Sequence, residues 1–316
     1  MKLTLMIATT FVLFLLTSPS TYAQGAGIEW DILNQEVMEL YRTGNYDRAV
    51  VVAKKALQVA EANVGPDHPD VATCLNNLAL VYSAQGQYAQ AEPLYKRSLA
   101  ITEKALGQDH PDTATTLNNL AELYRTQGQD AQAEPLYKRS LAIREKTLGP
   151  EHPEVATSLN NLAELYRAQG QYTQAEPLYK RALAIMEKAL GPDHPDVATC
   201  LNNLAGLYYT QAQYAQTEPL YKRSLAITEK ALGPEHPAVA TSLNNLAELY
   251  RTQGQYAQAE PLYQRSLAIR EKTLGPDHPD VARSLENLAR LYRATQREKE
   301  AEKLEQRAAR IRAIQR

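Results

Sequence analysis

A chain of 316 residues, 44% of them hydrophobic, is long enough for one or two globular domains or for an extended array of smaller units. Its 34 basic and 36 acidic side chains nearly balance, so it lacks the strongly basic character of nucleic-acid-binding proteins. Composition therefore argues against nucleic acid as a partner and leaves binding, structural and enzymatic classes open.

The first 23 residues predict a signal peptide. Met1 and Lys2 precede an apolar run over residues 3–16, and small residues follow up to Ala23. The run is shorter than the roughly 20 residues that span a bilayer, which favours cleavage after Ala23 over the alternative of an uncleaved anchor. We expect an exported protein, periplasmic or secreted, that has no membrane association once the segment is removed.

Beyond this segment, one unit recurs along the chain with a period of 42 residues, represented by residues 153–194. The six histidines all occupy the same position of the unit; they are His68, His110, His152, His194, His236 and His278. A fixed period of this size is typical of a solenoid, in which each unit buries its apolar face against its neighbours.

Each unit predicts two amphipathic helices. Apolar side chains recur at three- and four-residue spacing over residues 159–166 and again over residues 172–186. Gly170 and Gly191 can take the left-handed conformation that ends a helix, and Pro195 suits the first position of the next helix. The unit is therefore expected to be a helical hairpin.

The spacing of these apolar residues resembles the tetratricopeptide repeat. The residues that carry the resemblance are Leu159, Leu162, Ala163, Tyr166, Ala175 and Tyr179. The unit exceeds that family's usual period of about 34 residues, and its LNNLA, EPLYKR and LGPDHP segments resemble the kinesin light chain version of the repeat. The resemblance covers residues 29–316 and implies an all-α, right-handed α-solenoid of seven helical hairpins.

Departures from the unit divide the chain into four segments. After the signal peptide (1–23), residues 24–68 are expected to form a divergent N-terminal capping hairpin. Five near-identical tetratricopeptide units follow over residues 69–278, and residues 279–316 hold the last unit and a capping helix.

Two residue types inside the repeat need a separate account. A proline lies inside the second helix of five units and predicts a kink or an irregular first turn; these are Pro93, Pro135, Pro177, Pro219 and Pro261. Cys74 and Cys200 share one repeat position three units apart, which is too far for a disulfide, so both are predicted to be buried free thiols.

No catalytic motif is present, and we expect neither enzymatic activity nor a cofactor. The group that most suggests metal binding is the loop with Asp193, His194 and Asp196. Each loop offers a single histidine, and loops of successive units should lie about 10 Å or more apart, so no metal site is predicted.

The informative surface is the polar side of each first helix, which lines the concave groove of tetratricopeptide solenoids. Two asparagines per unit lie there, and we expect them to form two rails along the groove. One rail is Asn76, Asn118, Asn160, Asn202 and Asn244; the other is Asn77, Asn119, Asn161, Asn203, Asn245 and Asn287. A carboxamide combines a donor and an acceptor, which suits the backbone of an extended peptide.

The resemblance to kinesin light chains, whose corresponding asparagines help to hold cargo peptides, implies a similar use here. The alternative is that these amides bond neighbouring helices to one another.

Specificity is expected where the units differ. Three units carry an i, i+3 ion pair: Glu122–Arg125, Glu164–Arg167 and Glu248–Arg251. The fifth hairpin has Gly206 and Tyr209 at these positions, and the last has Arg290 and Arg293. A missing side chain beside an aromatic ring could form a pocket in the fifth hairpin, whereas drift on a tolerant surface is the simpler explanation.

The leading interpretation is a non-catalytic scaffold that binds extended peptide segments of other proteins in the asparagine-lined groove. The alternative is a structural or assembly factor that acts through the convex face or the ends of the array, and an enzyme whose site uses no known motif is a third class.

Overall fold

The computed structural model describes residues 26–314, in which every regular element is an α-helix. Helices α1 to α7 are Ala26–Arg42, Tyr46–Val64, Pro69–Ala84, Tyr88–Ala105, Pro111–Thr126, Asp130–Leu148 and Pro153–Ala168. Helices α8 to α14 are Tyr172–Leu190, Pro195–Thr210, Tyr214–Leu232, Pro237–Thr252, Tyr256–Leu274, Pro279–Ala294 and Glu298–Ile314. The predicted all-α fold of seven consecutive helical hairpins is confirmed. The predicted signal peptide lies outside the described residues and stays a prediction.

The helices form two compact units. The N-terminal unit contains α1 to α7 up to residue 170, and the C-terminal unit contains α8 to α14 from residue 171. Within each unit every helix packs against the next one along the chain, and first helices of neighbouring repeats also touch, as α3 and α5 do. This stacking buries the apolar stripes that a single hairpin would leave exposed.

The first helices from α3 onward all begin in the same way. A histidine precedes the proline at the first helical position, and its Nδ1 accepts a hydrogen bond from the N–H two residues further on at 3.1–3.2 Å. The side chain thus satisfies one of the backbone donors that a helix start leaves free. The period of the histidines signalled their importance, but their role as helix caps became clear only from the structure.

The turn inside each hairpin passes through one residue with positive φ. Gly254 has a φ of 73° in the sixth hairpin, whereas the fifth uses Ala212 with a φ of 56°. A side chain strains this conformation because its Cβ comes too close to the backbone.

Replacement of Ala212 by glycine should therefore stabilise the C-terminal unit. We expect the free energy of unfolding to rise by about 0.5–1 kcal/mol, since the relieved strain exceeds the entropy that glycine adds to the unfolded chain. Gly254→Ala is the matched control and should lower the free energy of unfolding. Urea denaturation measures both, and a loss of stability on Ala212→Gly would contradict the strain argument.

The prolines of the second helices lie at the sixth helical residue, as Pro261 does in α12. The helix continues unbroken through each of them, and its first turn closes normally, with the N–H groups of Gln258 and Ala259 bonded to the carbonyl of Gln255. The predicted kink or irregular first turn at these prolines stays a prediction.

The core consists of leucine, alanine and tyrosine. Five of the second helices described, α4, α6, α8, α10 and α12, each contribute a tyrosine that is at most 1% exposed; these are Tyr95, Tyr137, Tyr179, Tyr221 and Tyr263. Cys74 and Cys200 are buried free thiols, as predicted, and burial raises the pKa of each to about 12. Neither thiol is therefore ionised at neutral pH.

Candidate functional site

The polar side chains of each first helix lie on one face. In α11 the residues that keep some exposure on this face include Thr241, Asn244, Arg251 and Thr252. Thr241 and Asn244 are three residues apart, Asn244 and Arg251 seven, and Thr241 and Thr252 eleven, which places them along one side of the helix. We call this side the polar face, and it contains the predicted binding residues.

In the N-terminal unit, asparagines on the polar faces bond from one repeat to the next. The Nδ2 of Asn77 donates to Oδ1 of Asn34 at 3.1 Å. The same bond joins Asn119 to Asn76 at 3.2 Å and Asn161 to Asn118 at 3.0 Å. The second asparagine of each repeat thus bonds the first asparagine of the repeat before it, and we call this series the asparagine zipper.

The zipper recurs in the C-terminal unit. Asn245 donates to Asn202 at 2.8 Å, and Asn287 donates to Asn244 at 2.6 Å. Asn119 and Asn244 are partly exposed, and the other predicted asparagines, Asn160 and Asn203 included, are at most 9% exposed. Hydrogen bonds between the amides of neighbouring first helices, the alternative role for these asparagines, are therefore present in both units.

The zipper bonds do not use all the hydrogen-bond donors and acceptors of these amides. A carboxamide has two N–H donors and two lone pairs on its oxygen, whereas one zipper bond uses one N–H of the donor and one lone pair of the acceptor. At the partly exposed Asn119 and Asn244, part of this capacity faces the surface. Structural and ligand-binding roles are thus chemically compatible.

The predicted Glu–Arg pairs are present, and they are more deeply embedded than surface pairs. Nε and Nη2 of Arg251 donate to the two carboxylate oxygens of Glu248 at 3.0 and 2.6 Å, and Glu248 is 6% exposed. The hydroxyl of Tyr263, from the second helix of the same hairpin, donates to Glu248 at 2.5 Å. Glu122, Arg125 and Tyr137 form the same arrangement in the N-terminal unit.

These contacts set the charge of the polar face. Burial by itself would raise the pKa of Glu248, but the hydrogen bonds from Arg251 and Tyr263 outweigh it and hold that pKa below its ordinary value. The carboxylate therefore stays ionised and paired at neutral pH. The third member, the core tyrosine, has the same period as the glutamate, which is the signal that sequence reasoning missed.

The fifth hairpin departs from this arrangement. Gly206 takes the place of the glutamate and is buried. Tyr209, in place of the arginine, is hydrogen-bonded to Thr252 Oγ1 at 2.8 Å and donates to Glu248 Oε1 at 3.4 Å. Its ring lies 6.0 Å from the ring of Tyr214. The structure therefore joins Tyr209 to the polar face of the next repeat, a connection that the sequence did not indicate.

The two arginines predicted in the last repeat have different environments. Arg293 contacts the carboxylates of Glu298 at 2.5 Å and Glu305 at 2.7 Å, so its charge is neutralised within the terminal hairpin. Arg290 is exposed and donates to Asn287 Oδ1 and to the carbonyl of Glu286. Within residues 26–314 it forms no ion pair at contact distance, although its charge contributes to the lowered pKa of Glu248.

The second helices present a different surface, made of ion pairs between repeats. In both units, arginines of second helices contact glutamates of the preceding second helix; the pairs are Arg97–Glu61, Arg139–Glu103, Arg223–Glu187, Arg265–Glu229 and Arg307–Glu271. These side chains are half-exposed, and each pair contributes little by itself. The charges of these side chains are thus paired between successive repeats.

No group of histidine, cysteine and acidic side chains in the described range is arranged to hold a metal ion. Over residues 26–314, none of the fourteen helices is long and apolar enough to cross a membrane. The repeated hairpins define a helical-repeat scaffold, the class of protein typical of protein–protein interaction.

The chain belongs to the tetratricopeptide repeat family. The family profile matches residues 39–104, 79–146, 112–188, 154–230, 203–272 and 243–313, which together cover most of the chain. No curated protein matches it.

Solved structures of similar repeats agree with this assignment. A single-substitution variant of a putative kinesin light chain with nearly identical repeats, from Podosopora anserina, is 33% identical, with a TM-score of 0.55, over 66% of this chain and 98% of that one. BtubC (BKLC) from P. vanneervenii is 26% identical, with a TM-score of 0.58, over 75% of this chain and 92% of that one. Apo RapI shares the fold at 17% identity, with a TM-score of 0.65, over 90% of this chain and 98% of that one.

Proposed function

We propose that this protein is a non-catalytic scaffold that binds extended peptide segments of other proteins along its polar faces. The observation that carries the proposal is the recurrence of asparagines on the polar faces, with Asn119 and Asn244 partly exposed, beside glutamates already paired with arginine and tyrosine. Such a surface offers donors and acceptors at regular intervals without a strong net charge, which suits a peptide backbone of any sequence.

Selectivity would come from the fifth hairpin. Gly206 places no side chain where neighbouring repeats have a glutamate, and the Tyr209 ring stands one helical turn further on. An aromatic ring beside a gap is the kind of partly desolvated site that contributes much of the affinity in peptide complexes. We propose that this gap receives a bulky side chain of the bound peptide.

The test is the double variant Gly206→Glu with Tyr209→Arg. It rebuilds the glutamate–arginine pair of the neighbouring repeats, and Tyr221 occupies the position from which Tyr263 bonds Glu248. We therefore expect normal folding. The affinity for peptides selected on the parent protein from a random display library should fall by about 1–3 kcal/mol, measured by calorimetry.

A control variant separates this effect from a general change of the surface. Lys222→Ala changes an exposed side chain on α10, the second helix of the same hairpin, and should leave the affinity unchanged. Equal binding by the double variant and the parent would show that the fifth hairpin is an ordinary spacer. Failure of the library to yield any polar-face binder would contradict the peptide-binding proposal itself.

A further inference from the structure

Two buried arginines occupy the same repeat position in the two units, and only one of them has a carboxylate. Arg144 in α6 and Arg270 in α12 are 6% and 3% exposed, whereas the second, fourth and fifth repeats have threonine or methionine there. A guanidinium cannot lose its charge at neutral pH, so a buried one needs hydrogen-bond acceptors and an opposite charge. Comparing the partners of Arg144 with those of Arg270 shows which contacts Arg270 lacks.

Arg144 has a carboxylate and two hydroxyl groups around it in its own unit, although its Nε makes no hydrogen bond. Its Nε lies 3.3 Å from Oε2 of Glu154, and its Nη1 donates to Ser158 Oγ at 2.8 Å. Its Nη2 donates to Thr115 Oγ1 at 3.4 Å. Thr115 is on the polar face, so the guanidinium lies beneath that face at the level of the first turns of α5 and α7.

Arg270 keeps only one of these contacts. Its Nη1 donates to Ser284 Oγ at 2.6 Å, which corresponds to the bond to Ser158. The position of Glu154 is taken by Asp280, which is one methylene shorter and pairs with Arg283 at 3.0 Å instead. In the described part of the chain, Nε and Nη2 of Arg270 have neither a hydrogen-bond acceptor nor a carboxylate.

The surroundings of Arg270 are more positive and more open than those of Arg144. Arg283 stands where the fourth repeat has Thr157, so a second guanidinium lies near Arg270 and pairs with Asp280. The side chains of Arg283 and Asp280 are 24% and 32% exposed, which gives a small solute a route to this place. Burial and the neighbouring Arg283 lower the pKa of Arg270 to about 10, opposed by Asp280, whereas for Arg144 burial alone lowers the pKa and Glu154 opposes it.

We propose that Arg270 and Arg283 form a binding site for an oxyanion, a carboxylate or a phosphate, between α12 and α13. The free Nε and Nη2 groups of Arg270 match the two oxygen atoms of such a ligand, and guanidinium groups bind oxyanions by this paired geometry. The ligand takes the place that the carboxylate of Glu154 holds beside Arg144. Its source is either a free anion or an acidic side chain of a peptide on the polar face, and only the second source rests on the proposed function.

The experiment follows the side-chain Nε–H signal of Arg270 by NMR in protein labelled with ¹⁵N-arginine. Inorganic phosphate is titrated at constant ionic strength, and we expect a saturable shift of this signal. The Arg144 signal is the internal control and should not move. Arg270→Thr assigns the signal, and the fold tolerates threonine here, as Thr102 and Thr228 show at the same repeat position.

The double variant Asp280→Glu with Arg283→Thr rebuilds the surroundings of Arg144 around Arg270. An internal carboxylate then competes with the ligand, and the apparent affinity for phosphate should fall by about tenfold or more. The variant should be at least as stable as the parent, because it supplies a missing partner to a buried charge. Equal phosphate affinity in this variant and the parent would overturn the proposal.

A second arm identifies the source of the anion. Two peptides selected for polar-face binding are compared, one with a single glutamate and one with glutamine in its place. If the parent binds the glutamate peptide more tightly than the glutamine peptide, and the double variant does not, the anion is a peptide carboxylate. If phosphate binds but the two peptides bind equally, the anion is a free one. If phosphate produces no saturable shift and the peptides bind alike, there is no oxyanion site, a result that leaves peptide binding itself untouched.

Discussion

Tyr263→Ala should lower the free energy of unfolding of the C-terminal unit by about 3–5 kcal/mol, the cost of removing a large buried aromatic side chain. The Tyr263 side chain is 1% exposed and belongs to a cluster with Leu249 and Leu288, which come from the first helices of two successive repeats. Its loss leaves a cavity where the repeats meet. Because repeat arrays derive their stability from such interfaces, we expect the effect to extend over the unit.

Tyr263→Phe separates the hydroxyl from the ring. The hydroxyl donates to the buried carboxylate of Glu248, so its removal should cost about 1–2 kcal/mol. Tyr256→Phe is the matched control, because the Tyr256 hydroxyl has no hydrogen-bond partner within residues 26–314, and its cost should be within about 0.5 kcal/mol of zero. Urea denaturation followed by circular dichroism measures all three variants. Equal effects of the two phenylalanine variants would show that the bond to Glu248 contributes nothing.

Asn245→Leu and Asn202→Leu should each destabilise the C-terminal unit by about 1–3 kcal/mol, because each leaves a buried amide without its partner. The double variant removes both polar groups, and it should cost less than the sum of the single variants by about 1 kcal/mol. This double-mutant cycle measures the coupling across one bond of the asparagine zipper.

The control for the cycle is Gln258→Leu, an exposed amide on α12, which should change stability by less than about 0.5 kcal/mol. Strict additivity of the two asparagine variants would mean that the zipper bond has no energetic role. The predicted binding role of the asparagines would then gain support, because little else would explain two amides in every repeat.

Much of the fold follows from local patterns. The helix periodicity, the glycine turns and the prolines at the helix starts predicted the hairpins, and the 42-residue period predicted their stacking. The candidate site was predicted less completely. The asparagines do lie on the polar faces, but their bonds join residues 43 positions apart, and a repeat pattern alone does not reveal which atoms of adjacent repeats meet.

The sequence by itself determined the class of fold, the number of repeats, the polar face and the places where units differ, because these depend on spacing along one chain. Only the tertiary structure decided which hydrogen-bond and charge partners the differing residues have. Arg144 and Arg270 look alike in sequence, and a difference of one methylene between Glu154 and Asp280 leaves one guanidinium paired and the other without a carboxylate. The physical reason is that the strength of an ion pair depends on distances of a few ångströms between separate helices, and packing sets those distances.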